Sequence, residues 1–218
     1  GAMGTLFVGG ASAMVLTGPG GNGAWTIRND ASRLPALNAL AAADQAHLYA
    51  AAGDGTVLFS KGDGAWTAQP TPVASALYAV AAVTPTSLWA AGAVGVLLRS
   101  TGNGSWTTET LGPMIATDLY AVWGSSAKDV YVGGAGGRIY HSTGGGAWTQ
   151  QATTATGTVN AIFGRGPADL YAVTSTGELL VSTGNGTWTA QKSGTTLALG
   201  GVWAAGAMGT LFIGGASA

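Results

Sequence analysis

Short apolar segments separated by glycine, proline, aspartate, asparagine and serine recur along the chain in a fixed order. The first reads L-x-A-[VL]: Leu37 to Leu40, Leu77 to Val80, Leu119 to Val122, Val159 to Ile162, and a variant at Leu199 to Val202. The second is an apolar-aromatic-apolar triplet: Leu48-Tyr49-Ala50, Leu88-Trp89-Ala90, Val130-Tyr131-Val132 and Leu170-Tyr171-Ala172. The third is Val57-Leu58-Phe59, Leu97-Leu98-Arg99, Ile139-Tyr140-His141 and Leu179-Leu180-Val181. The fourth begins at a Trp-Thr pair. Each segment spans four to six residues, too few for a three-turn helix, so each predicts a strand. β-branched and aromatic enrichment in the second and third segments agrees.

The third and fourth segments are joined by one repeated stretch, a serine or threonine, a glycine-rich turn, then Trp-Thr. It runs Ser60 to Thr67, Ser100 to Thr107, Ser142 to Thr149 and Ser182 to Thr189, with a looser copy at Thr17 to Thr26. Asn103-Gly104 and Asn185-Gly186 mark tight hairpins, because both residue types tolerate positive φ. The tryptophans are Trp25, Trp66, Trp106, Trp148 and Trp188, spaced by 41, 40, 42 and 40. Four antiparallel strands in a unit of that length, repeated, predict β-propeller blades. A two-layer sandwich would not need five near-equal copies.

The expected fold class is therefore all-β, a five-bladed β-propeller of four-stranded antiparallel blades. The expected repeats are residues 33–73, 74–114, 115–155 and 156–195, and the closing blade combines 196–218 with 1–32. Residues 1–13 and 206–218 are identical except for Val8 and Ile213, at an offset of 205, five times 41. The second segment thus occurs six times and the others five times. The expectation is that the C-terminal stretch supplies the innermost strand of the first blade and closes the ring. One second-strand copy, Thr5 to Val8 or Thr210 to Ile213, is then redundant. It is left out of the ring, exchanges with a neighbouring molecule, or reflects a longer array or designed duplication.

The Ser/Thr–turn–Gly–x–Trp hairpin resembles the Asp-box (BNR) of sialidase-type propellers, S/T-x-D-x-G-x-T-W. The acidic position is Asp63 in one repeat, Asn22, Asn103 and Asn185 in three, and Gly145 in another, and the spacing to Trp is one shorter. The resemblance implies a structural staple between the third and fourth strands, with the serine and acidic side chain bonding the turn backbone. The blade number is similar to that of tachylectin-like lectins.

Composition narrows the function classes. Charged residues make up 8% of the 218, Gly numbers 38, and the net charge is −1. Lys and Arg total eight and form no basic stripe, which argues against nucleic acid. No apolar run reaches the roughly 20 residues of a membrane span. Cys is absent, so the compartment stays open. No signal-peptide pattern stands at the start of the sequence.

The catalytic reading is weak. Arg28, Arg33, Arg99, Arg138 and Arg165 fall in different strand and loop classes, so they predict no arginine triad. Glu109 and Glu178 are the two glutamates and lie in different blade positions, whereas glycoside hydrolysis needs two carboxylates about 5–9.5 Å apart. His47 and His141 do not suggest a metal site. The expectation is no enzyme, no metal and no cofactor.

The polar set that follows each tryptophan by three, Arg28, Gln69, Glu109, Gln151 and Gln191, is the candidate ligand-binding set. It shares a face with the second-to-third loops that carry Asp54, Arg138 and Glu178. Glutamine beside exposed rings suits sugar hydroxyls, so the leading expectation is a multivalent, lectin-like carbohydrate-binding module. The alternative is a structural or engineered propeller, or a protein-interaction platform, without a small-molecule ligand. A glycoside hydrolase is the third reading. Expected partners are glycans or a protein surface, with no nucleic acid and no membrane insertion, in a monomer or a strand-swapped oligomer.

Overall fold

The repeated segments become strands at the places the pattern marks. The structure is a computed structural model, and it describes residues 6–10, 14–18, 26–27, 35–112, 116–144, 146–204 and 209–216. The chain divides into two compact units, Gly1–Glu109 and Thr110–Ala218.

In the first unit, β1 (Leu6–Gly10), β2 (Met14–Gly18) and β3 (Thr26–Ile27) form a three-stranded sheet. Next come β4 (Leu37–Asp44), β5 (His47–Ala52), β6 (Val57–Ser60) and β7 (Thr67–Gln69), a four-stranded antiparallel sheet in sequence order. A second such sheet holds β8 (Leu77–Thr84), β9 (Ser87–Gly92), β10 (Leu97–Ser100) and β11 (Thr107–Glu109).

The second unit repeats the plan. One sheet is β12 (Leu119–Ser126), β13 (Asp129–Gly134), β14 (Ile139–Ser142) and β15 (Thr149–Gln150). The next adds β16 (Ala152–Thr153) to β17 (Val159–Gly166), β18 (Asp169–Thr174), β19 (Leu179–Ser182) and β20 (Thr187–Gln191). The last sheet is β21 (Leu199–Ala204) with β22 (Leu211–Gly215).

Three details differ from the expected blade. The innermost strands are eight residues long in the complete sheets, because a two-residue turn to the second strand forces pairing as far as Asp44↔His47. The Ala41-Ala42-Ala43 stretch hides that extension, since alanine is a poor strand signal. β16 lies parallel to β20, Ala152 N–H donating to the Gly186 carbonyl at 2.9 Å, so that sheet has five strands. The third difference concerns closure: β21 takes β22, the C-terminal copy, as its partner, while β1 keeps β2. The expected single closing sheet is therefore two separate sheets here, because the C-terminal copy follows β21 closely enough to hairpin onto it.

The core lies between sheets. β8 packs on β4 and β5 in the first unit; β17 packs on β12 and β13 in the second. One apolar cluster joins Tyr49, Ala51 and Val57 to Leu77, Leu88, Leu98 and Trp106. Its counterpart joins Ala121, Tyr131 and Ile139 to Val159, Ile162, Leu170, Leu180 and Trp188. In the complete sheets the second strands are covered on both faces, and β9 is buried along its whole length. That double burial explains the unbroken apolar runs. It also explains the small residues, because the sheets approach closely: a β-carbon on Gly133 would sit 2.5 Å from Val159 Cγ1.

The count from the first inner-strand residue to the tryptophan is constant. Leu37 to Trp66, Leu77 to Trp106, Leu119 to Trp148 and Val159 to Trp188 each differ by 29. All variation in repeat length falls in the connection that follows.

Candidate functional site

The tryptophan hairpin is a structural staple. Ser60, Ser100, Ser142 and Ser182 are buried, and each Oγ accepts the backbone N–H two residues on, at 3.2, 3.2, 3.3 and 3.2 Å. Asp63, Asn103 and Asn185 each accept, through Oδ1, the backbone N–H two residues on, at 3.0, 3.0 and 3.1 Å. The ring then crosses to the preceding sheet. Trp106 meets Tyr49 edge-on at 6.5 Å between centroids, and Trp188 meets Tyr131 in the same way at 5.9 Å. Trp66 and Trp148 are half-buried; Trp25 lies outside the described residues.

The residues three positions after the tryptophans stand in different surroundings. Gln69 Oε1 accepts the Trp106 Nε1–H at 2.8 Å, so it ties one sheet to the next. Gln151 is 7% exposed and donates through Nε2 to the Thr149 carbonyl at 3.4 Å. Glu109 pairs with Arg99 at 3.7 Å, and Arg99 lies 5.5 Å over the Trp89 ring. Both line a shallow pocket of about 240 Å³ with Asn103 and Ser105. Arg28 lies outside the described residues. Arg138 is half-buried and lies in neither the pocket beside Glu109 nor the groove beside Glu178.

Two predicted residues do meet. Glu178 and Gln191 line one open groove of about 670 Å³ with Thr176, Lys192, Ser193, Thr195 and Thr196. The groove lies between the second-to-third hairpin and the connection that leaves the fourth strand. Its wall is fixed by hydrogen bonds. Glu178 Oε2 accepts from Thr176 Oγ1 at 2.9 Å and from buried Thr174 Oγ1 at 3.2 Å. Ser193 Oγ donates to the Gly177 carbonyl and to the Thr195 carbonyl. Thr71 repeats this in the first unit, donating to Gly55 O at 2.7 Å and Val73 O at 3.1 Å. A hydroxyl five residues after the tryptophan was the available signal, at Thr71, Thr153 and Ser193.

A second set was also missed. The register of every inner strand slips at its second residue, between Leu37 and Ala39 and at the matching place in each repeat. Such a bulge re-aims the extra side chain. Asn38 and Asn160 there donate to the Leu77 and Leu199 carbonyls of the following inner strand, each at 2.7 Å.

The opposite end of the sheets holds polar clusters. Ser125 Oγ and His141 Nε2 both engage Asp129, the histidine at 2.8 Å, and His141 stacks on Tyr131 at 4.2 Å. Asp129 stands in the middle, so the serine bonds the carboxylate and not the imidazole, which differs from the serine–histidine contact of a nucleophilic triad. Burial, reinforced by the Asp129 charge, pushes the Tyr131 phenol up to about 12. Arg165 bonds Asp169 at 2.7 Å, Tyr171 at 2.5 Å and the Gly209 carbonyl at 3.1 Å. Burial raises the Asp169 carboxyl, but its bonds from Tyr171 and Arg165 outweigh that and hold it below the usual carboxylate value. Among the described residues no three His, Cys, Asp or Glu side chains converge to hold a metal, and no helix is long and apolar enough to cross a membrane.

The family of the DUF6242 beta propeller domain matches residues 92–198, a little under half of the chain. Solved structures with the same fold include YCF48 from Cyanidioschyzon merolae, 15% identical, with a TM-score of 0.75 over 96% of this chain and 76% of that one. The fold is a β-propeller. YCF48 bound to D1 peptide is 13% identical, with a TM-score of 0.60 over 94% of this chain and 83% of that one. Streptogramin B lyase is 16% identical, with a TM-score of 0.69 over 81% of this propeller and 61% of that chain. No curated protein matches the chain. At these identities the likeness carries the fold, and none of these names supports carbohydrate binding.

Proposed function

We propose that this propeller is a non-enzymatic platform that binds an extended segment of a protein partner. The observation that carries the reading is the groove beside Glu178 and Gln191. It is open, walled by hydroxyls, a glycine backbone and one carboxylate, and fixed in shape by its own hydrogen bonds. Such a surface suits the backbone amides and side chains of a peptide. Support of a second kind comes from YCF48, a propeller of the same fold bound to a peptide. Of the residues offered for a sugar, Gln69 and Gln151 are engaged within the protein.

The finer architecture belongs to the same proposal. Residues 33–73, 74–114, 115–155 and 156–195 are four blades. The strand kinds of a fifth are supplied at 196–218 and 1–32 and are divided between two sheets. Glutamates 109 and 178 have no catalytic duty in this reading, and no metal or cofactor is needed.

The test is selection of peptides from a displayed library against the full chain, followed by titration of the selected peptide. Glu178→Ala combined with Gln191→Ala is expected to weaken binding at least fivefold while the circular dichroism spectrum stays native. A library that yields no peptide, or a peptide indifferent to both changes, overturns the proposal.

A further inference from the structure

The last sheet is half a blade. In β9 every residue is buried; in β22, its equivalent, Phe212 is 56% and Ile213 38% exposed. Trp203 on β21 is 56% exposed and lies 6.0 Å from Phe212, ring to ring. Among the described residues β22 has no third strand in its sheet, which leaves its outer backbone edge open. Residues 193–218 carry no charge, so nothing of the usual kind guards that edge.

The first sheet is the complementary half. It contains strands of the second, third and fourth kinds and lacks the first kind. Its β1 has the sequence L-F-V-G-G, and β22 has L-F-I-G-G. The register of β1 on β2 is therefore a template for β22: Phe7 is paired with Thr17 and Val8 with Leu16 along the backbone. Adding the 205-residue offset puts Phe212 opposite Thr17 and Ile213 opposite Leu16. The two twins are not equally placed. β22 is anchored through Gly209 by Arg165 and through the Ala216 N–H, which donates to the Ala198 carbonyl at 2.8 Å. Among the described residues the sheet of β1 contains no innermost strand.

We propose that the β22 edge is an interface for a second copy of this chain. Leu211–Gly215 of one copy takes Met14–Gly18 of the other as its third strand and displaces that copy's Leu6–Gly10. The backbone bonds lost and gained are equivalent, because the twins differ by one methylene group. What is gained is cover for Phe212, Ile213 and Trp203 and a blade with all four strand kinds. A second copy fits because each chain already seats both twins on partners of its own, so the edge is filled from outside. This surface is separate from the groove of the preceding section, and either proposal can fail alone.

The chain has no cysteine, which makes a clean crosslinking test. Phe212→Cys and Thr17→Cys are prepared separately, checked for native circular dichroism, mixed and oxidised. The expected product is a disulfide-linked pair, formed at least tenfold more than in a mixture of Ile213→Cys with Thr17→Cys, where the register is slipped by one residue. Equal yields in the two mixtures overturn the proposal. So does a double variant, Phe212→Cys with Thr17→Cys, that crosslinks only within one chain. Light scattering gives an independent measure without cysteines. The mass should rise toward two chains with concentration and return to one in Ile213→Pro, and a constant single-chain mass overturns the proposal.

Discussion

A glutamine three residues after a tryptophan is the clearest case of a residue legible in type and not in role. Its position at the end of a strand was evident; its direction was not, because the bond from Trp106 to Gln69 crosses between repeats. Gln69→Ala leaves a buried indole N–H without a partner, an expected loss of about 1–3 kcal/mol by urea denaturation. Trp188, 1% exposed, should cost more, about 3–5 kcal/mol on truncation to alanine. Val94 is the opposite case. It holds φ 50 at an exposed hairpin tip, where a β-branched side chain is strained. Val94→Gly should therefore raise stability by about 1 kcal/mol, read as a higher urea midpoint. Tyr131 sets a pH limit at this scale. Its phenol is raised to about 12 in the folded chain from an ordinary 10.0. The stability this confers is complete below the unfolded value and is lost as pH rises through the folded one. Tyr131→Phe should flatten the fall in melting temperature between those two pH values.

At the scale of elements, the strands and their hairpins were readable because each carries its own local signal: apolar pairs, turn glycines, Trp-Thr. The bulge at Asn38 and Asn160 was not readable, because nothing local distinguishes a bulged residue from a paired one. The turn glycines have a reason that only packing supplies. Gly102 has φ +81, and a β-carbon on it would lie 2.1 Å from the Pro85 carbonyl oxygen of the neighbouring turn. Gly102→Ala should lower stability by roughly 1–3 kcal/mol, several times the effect of an ordinary exposed substitution, in the same urea assay. Arg165 and Asp169 join two elements, and Asp169 is held below its ordinary carboxylate value. Its share of stability is present above the unfolded value and fades as pH falls through the lowered folded one. Arg165→Met should make acid unfolding begin at higher pH.

For the molecule as a whole, the count of strand kinds was visible in the sequence, and the partners of the duplicated ends were not. Identical segments carry identical local signals, so only the fold can say that Leu211–Gly215 sits on β21 while Leu6–Gly10 sits on β2. The site was less legible than the fold for a related reason. A groove made of Thr176, Gly177, Ser193 and Thr195 has no motif, because backbone and hydroxyl groups recognise by placement. The low charge of 8% finds its meaning here too. Cohesion comes from apolar contact between sheets, and the arginine–carboxylate pairs among the described residues number two, Arg99–Glu109 and Arg165–Asp169, both partly exposed and so weak. The urea midpoint should accordingly be almost the same in dilute and in molar sodium chloride.

The constant interval of 29 residues from inner strand to tryptophan has an evolutionary side. Any crossover that joins one repeat's tryptophan to another repeat's inner strand leaves a whole, in-frame cassette on both sides of the join. Chains with fewer or more cassettes are thus one recombination away. The connections that absorb the difference are of the kind that walls the groove at Glu178, so a change of length there reshapes a loop surface while leaving the sheets alone.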